Sequence, residues 1–217
     1  DTFTSLGGNQ FVDSPVLGKW SSWLADGLRP EIVSRYATNE RFGLVGKSSG
    51  GYGSMVNGML RPDAWSALAS HSGDVGFELM YGGSWGETVT HVAPDGSAEA
   101  YLARLANAPS MRSSDFHTMM MCALAASYDP RPVDALLHLG VKLPVDLSTC
   151  IVDTEAWGRW MTFDPLSMVE LHHDALAEMK LFFVDCGGQD QYHIHYGTRR
   201  FVARLDALSV PNVYEEF

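Results

Sequence analysis

The chain has 217 residues, 46% of them hydrophobic and 19% charged, with 21 glycines and a formal net charge of −11. That size and composition suit one sizeable globular domain and exclude the disordered, collagen-like and disulfide-rich classes. The acidity argues against bulk attraction to nucleic acid or an anionic membrane, and no apolar run reaches the ~18 residues that mark a membrane-spanning helix.

In chain order, a glycine-rich loop over 5–15 comes first. Trp20, Trp23, Leu24, Leu28, Ile32 and Tyr36 then recur at one-turn spacings, predicting a helix that Pro30 breaks or kinks. Residues 41–46 read as a short buried strand. After a Ser-Ser-Gly-Gly turn, Tyr52, Met55, Val56 and Met59 form the apolar stripe of an amphipathic helix that Arg61-Pro62 ends. A second strand is expected over 64–71. From about 77 to 170 the pattern changes to helical stretches (97–108, 116–126, 133–139) between loops, a lid-like insertion within a single α/β domain. A helix over 165–177, a strand over 180–185, a helix near 196–208 and a strand from 213 complete the chain. Strands alternating with helices imply a mostly parallel sheet with helices on its faces.

Cys122, Cys150 and Cys186 are too few and too scattered for a disulfide framework or a zinc site, and read as buried small hydrophobes. This usage favours a reducing, cytoplasmic compartment.

Gly46-Lys47-Ser48-Ser49-Gly50 has the G-x-S-x-G spacing of a nucleophile elbow. A strand that turns at once into a helix holds its serine in a sharp bend with Oγ exposed. Side chains two positions either side are expected to collide with strand and helix, which explains Gly46 and Gly50. The Ser49 N–H then serves as one oxyanion donor, helped by the helix dipole. Gly-Lys-Ser-Ser also looks like the end of a phosphate-binding loop, but that motif needs glycine where Arg41 stands.

A serine nucleophile needs a base, and the base needs an orienting carboxylate. After the strand at 180–185 two acids compete, Asp185 at the strand end and Asp190 beyond the Gly187-Gly188 turn. Asp190 is preferred because it stands where a carboxylate reaches across the top of the sheet, although either acid could simply form or cap a turn.

Three segments, Gly7-Gly8-Asn9-Gln10-Phe11-Val12-Asp13-Ser14-Pro15, Gly46-Lys47-Ser48-Ser49-Gly50-Gly51-Tyr52-Gly53 and Asp185-Cys186-Gly187-Gly188-Gln189-Asp190-Gln191-Tyr192, carry a resemblance. The chain resembles the α/β-hydrolase family of esterases that includes esterase D (S-formylglutathione hydrolase), enterochelin esterase and the mycolyltransferases. The resemblance implies Ser48 as nucleophile, Asp190 as triad acid and the Ser49 N–H as half of the oxyanion hole. In that family the histidine follows the next strand, a few residues after a stretch like Tyr214-Glu215-Glu216-Phe217. The expectation is therefore a fragment of a longer hydrolase, whose histidine and second oxyanion donor lie outside these residues.

None of the eight histidines here is a convincing base. His71 ends a strand beside the serine strand, and His193 and His195 lie close to Asp190 in sequence. His91, His117 and His138 fall in the insertion, and His172 and His173 on a surface helix. No metal site is expected, since His193-x-His195 lacks a third ligand. Trp85, Trp157, Trp160, Phe163 and Met119-Met120-Met121 are read as the insertion's own core, or else as an apolar acyl pocket.

The function expected is cofactor-free hydrolysis of small-molecule esters or thioesters through an acyl-enzyme on Ser48. Two alternatives stand beside it: acyl transfer to an alcohol by the same site, and a non-catalytic binding protein that has lost the histidine.

Overall fold

A computed structural model describes residues 3–39, 41–131 and 140–217. The expected helix over 133–139, with His138, lies outside the described residues. The chain divides into two compact units, one built from residues 10–13, 19–80 and 162–217, the other from 1–9, 14–18 and 81–161, each over its described residues.

In the first unit four runs rich in Val, Leu, Ala and Phe pair as a parallel sheet. They are β1 (Gly43–Lys47), β2 (Ala67–His71), β3 (Leu181–Cys186) and β4 (Val213–Glu216), in that spatial order. The register sets Lys47 beside His71, His71 beside Asp185 and Asp185 beside Glu215. Because side chains alternate along a strand, Leu68, Ser70, Phe182 and Val184 form one buried face. Val45, Leu181 and Val213 stand exposed on the other. This is the α/β-hydrolase architecture, a mostly parallel sheet with packed helices.

Three helices carry the buried face: α1 (Ser49–Leu60), α2 (Pro165–Ala177) and α3 (Ile194–Ala207). α1 packs on β1 and β2, α2 lies against α1, and α3 against α2 and β3. The expected stripe Tyr52, Met55, Val56, Met59 is only half of the burial of α1, since every residue from Gly51 to Met59 is buried. The other half is small residues against the sheet: a Cβ on Gly58 would stand 2.3 Å from Leu68 Cδ1, and Ser54 Oγ donates to the Ala69 carbonyl at 3.0 Å. So α1 is a fully buried helix and not an amphipathic one, because glycine and serine let its backbone settle onto β2. At the start of α2, buried Asp164 accepts from the N–H groups of Leu166 (3.0 Å), Gly76 (3.0 Å) and Phe77 (2.8 Å). It thereby ties the loop after β2 to a helix N-terminus, while burial pushes its carboxyl pKa up.

Pro30 does not break the helical stretch in which it lies. α-helical Trp20–Ser22 widens into a π-helix over Trp23–Leu28, and Arg29 N–H reaches back to the Leu24 carbonyl. Pro30 therefore falls in the first turn of Arg29–Arg35, where its missing N–H costs little.

The second unit holds helices Trp85–Val92, Ala98–Ala106, Ser113–Tyr128 and Thr154–Met161. The second and third answer to the expected stretches at 97–108 and 116–126. The first and last, eight residues each, are too short to show a stripe in sequence. Their tryptophans form the core of this unit. Trp160 is fully buried, ringed by Trp85 at 5.4 Å, Tyr128 at 5.5 Å, Trp157 at 5.7 Å and Tyr81 at 6.3 Å between centroids. Met121 is buried too. Buried Asp115 accepts from Tyr101 Oη at 3.0 Å and from Arg112, which holds its carboxyl far below the usual range.

Cys122 and Cys186 are buried and Cys150 is half-buried, where burial of all three was expected; all are free thiols. Among the described residues no helix is long and apolar enough to cross a membrane.

Candidate active site

Ser48 follows β1 directly and caps α1, with φ 54° and ψ −124°. An L-residue other than glycine seldom adopts positive φ, and such strain gathers at functional turns. The strain is held from both sides. Ser48 N–H donates to the His71 carbonyl at 3.0 Å, and its own carbonyl accepts from Tyr52 N–H at 2.9 Å. Ser48 is exposed, and its Oγ makes no hydrogen bond among the described residues.

The glycines around it differ in what they do. A Cβ on Gly46 would stand 2.2 Å from the Gly50 carbonyl carbon, so strand and helix meet there backbone to backbone. A Cβ on Gly50 would meet nothing within 4 Å among the described residues, so the collision expected at that position does not occur there. On the helix side the close approach falls one residue later, at Gly51, where a Cβ would stand 2.9 Å from Gly73 Cα and 3.0 Å from Ser70 Oγ. The pentapeptide spacing hides this, because the neighbour belongs to the loop after β2.

Ser49 opens α1, where the first N–H groups have no partner within the helix and carry its positive dipole end. Its hydroxyl accepts from Gln10 Nε2 at 3.2 Å.

Asp190 lies in the turn between β3 and α3 and is half-buried. Its Oδ1 accepts from the N–H of Tyr192 at 2.8 Å and of Ile194 at 3.2 Å. Its carbonyl accepts from His193 N–H at 3.1 Å. His193 takes positive φ, 63°, to enter α3. Asp190 Oδ2 has no partner among the described residues. The acid borders a cleft of about 600 Å³ lined by Gly187, Gly188, Gln189, Glu216 and Phe217. Glu216 on its rim accepts from Arg199 Nε and Nη2 and from Tyr214 Oη, the last at 2.6 Å. Arg199 first, then Tyr214, lowers its pKa to about 2, while burial, with Glu216 second, pushes Tyr214 up to about 12.

β1 and β3 are separated by β2 alone, so the turns bearing Ser48 and Asp190 rise from the same end of the sheet, two strand spacings or about 10 Å apart. Asp185, the acid ranked second from sequence, occupies a different niche: its Oδ2 is 2.7 Å from His71 Nδ1. The pair joins neighbouring strand ends at one register level. Nothing in the sequence sets residues 71 and 185 side by side until the strand order is known. Of the other histidines, His195 is buried against Tyr196 at 4.1 Å, and His91 Nδ1 is 2.8 Å from Thr118 Oγ1. Among the described residues no histidine side chain hydrogen-bonds Ser48 or Asp190; His71 and His193 meet them only through the backbone.

The sequence profile of a family described as "Putative esterase" matches residues 14–195. No curated protein sequence matches the chain. Among solved structures, MPT51 of Mycobacterium tuberculosis is similar with a TM-score of 0.53 at 15% identity, over 100% of this chain and 70% of that one. A fluorophosphonate-binding serine hydrolase, FphF of Staphylococcus aureus, gives 0.53 at 12% identity, over 96% and 59%. A ferulic acid esterase gives 0.50 at 16%, over 97% and 59%. At such identities the likeness is one of fold. The chain spans about three fifths of the last two.

Proposed function

The chain belongs to this esterase family, and we propose on that premise that it is a serine hydrolase of carboxylic esters or thioesters, with Ser48 as its nucleophile. The observation that carries the reading is the backbone of Ser48, at φ 54° between a parallel strand and a helix N-terminus, with an Oγ that bonds nothing among the described residues. Oγ attacks the acyl carbonyl while a histidine base takes its proton. Charge developing on the carbonyl oxygen meets the Ser49 N–H and the α1 dipole. The alcohol or thiol leaves with that proton, and water then releases the acid by the same steps in reverse order of roles. Asp190 orients the base: Oδ1 is pinned by two backbone N–H groups, and the residue lines a cleft of about 600 Å³, roomy enough for an imidazole.

The His71–Asp185 bond favours a second reading of the base, in which this pair takes the Ser48 proton. One experiment separates the two. The full-length protein is treated with a fluorophosphonate probe, and labelling rates of Ser48→Ala, Asp190→Asn and His71→Asn are measured. Ser48→Ala should abolish labelling; undiminished labelling refutes the assignment. A fall of at least about a thousandfold in Asp190→Asn, with His71→Asn near wild type, supports Asp190. The opposite pattern assigns the base to His71.

A further inference from the structure

Gln10 is a polar side chain only 6% exposed, in a loop 39 positions before the nucleophile turn. Its Nε2 donates to Ser49 Oγ at 3.2 Å, while its Oε1 is buried with no hydrogen-bond partner among the described residues. An unpaired buried acceptor is costly, and an apolar side chain of the same length would fill the space without that cost. The amide is therefore explained by what its other end holds.

The segment that presents Gln10 is fastened with equal care. Phe11 takes positive φ, 56°, and its ring sits over Gly53, where a Cβ would come within 2.8 Å of Phe11 Cβ and Cδ2. The Phe11 carbonyl accepts from Asn57 Nδ2 at 3.0 Å, and fully buried Asn57 accepts from Ser21 Oγ at 2.7 Å. Two strained backbones, Phe11 and Ser48, thus flank one side-chain bond, and both are anchored on α1.

We propose that Gln10 is a positioning residue for the oxyanion donor: its carboxamide clamps the Ser49 hydroxyl and so fixes the Ser48–Ser49 peptide whose N–H faces the reacting carbonyl. Gln10 acts only through Ser49, and the inference rests on Ser48 being the nucleophile. If the clamp is loosened, the N–H still exists but spends less time aimed at the developing oxyanion. The loss then falls on the chemical step and not on ground-state binding.

The test compares Gln10→Met, which keeps the length of the side chain without its amide, with Ser49→Ala and with the double variant. Fluorophosphonate labelling rates, kcat and KM on a model ester, and melting temperature are read on the full-length protein. The proposal expects each single variant to lower kcat and the labelling rate about five- to tenfold, the worth of one hydrogen bond, with KM unchanged. The double variant should lose no more than either single one. Gln10→Asn, one methylene short, should not rescue the loss. A wild type that fails to label sinks the reading of Ser48 itself. A wild type that labels while Gln10→Met keeps its kcat, or loses it independently of Ser49→Ala, overturns the clamp alone.

Discussion

Around Trp160 five large rings meet within 6.3 Å of its centroid or less, counting Trp160 itself, and the space between helices is filled by side-chain bulk. Around Ser48 the reverse holds. Gly46 touches Gly50, Gly51 touches Gly73, and polar groups as small as the hydroxyl of Ser49 make the remaining contacts. One region is stabilised by burying apolar area, which tolerates small shifts. The other brings backbones together and holds strained dihedrals, where a single added methyl matters. A catalytic turn needs the second kind of construction, because it must place N–H groups and not merely exclude water.

That contrast can be broken by substitution. Trp160→Ala should destabilise the unit around it by about 3–5 kcal/mol, read from denaturant unfolding, since the cavity has no neighbour free to fill it. A cost under about 1 kcal/mol would mean that the rings do not form a core. Gly46→Ala should cost about 1–3 kcal/mol and abolish the fluorophosphonate labelling proposed for Ser48, because the new methyl meets Gly50 backbone.

The carboxylates sharpen the comparison through pH. Glu216 has its folded pKa lowered to about 2 by Arg199, so its contribution is present above the ordinary carboxylate range and lost as pH falls toward 2. Asp164 has its pKa raised by burial. Its contribution is present below the ordinary carboxylate value and lost as pH rises through the folded one. Melting temperatures from pH 2 to 7 should therefore lose their acid-side fall in part in Glu216→Gln. In Asp164→Asn they should lose a decline of opposite sign. Smallest of all, Gly50→Ala should raise stability by about 0.5 kcal/mol, since a first-turn helical position with open space beside it gains from alanine through the lower backbone entropy of the unfolded chain. A destabilised Gly50→Ala protein would return that glycine to the steric role expected from the motif.

How much of this was legible beforehand depended on range. α2 could be bounded residue for residue, at Pro165–Ala177, because everything that specifies such a helix lies within one short window of sequence. The full burial of α1 was missed, since a run of Gly, Ser and Asn looks like a polar face until a sheet is laid against it. Pro30 misled for a related reason. A π turn that accommodates proline has no signature in residue type.

Local chemistry along the chain was enough to mark Ser48 as the residue in a strand-to-helix turn, and to offer Asp185 and Asp190 as the acids near it. Those inferences need only neighbours within a few positions. Which glycine bears the steric load, which aspartate bonds His71, and which distant side chain grips Ser49 were decided by tertiary structure alone. Each depends on a contact across 20 or more positions, between Gly51 and Gly73, His71 and Asp185, and Gln10 and Ser49. Such contacts exist only once strand order and register bring the segments together.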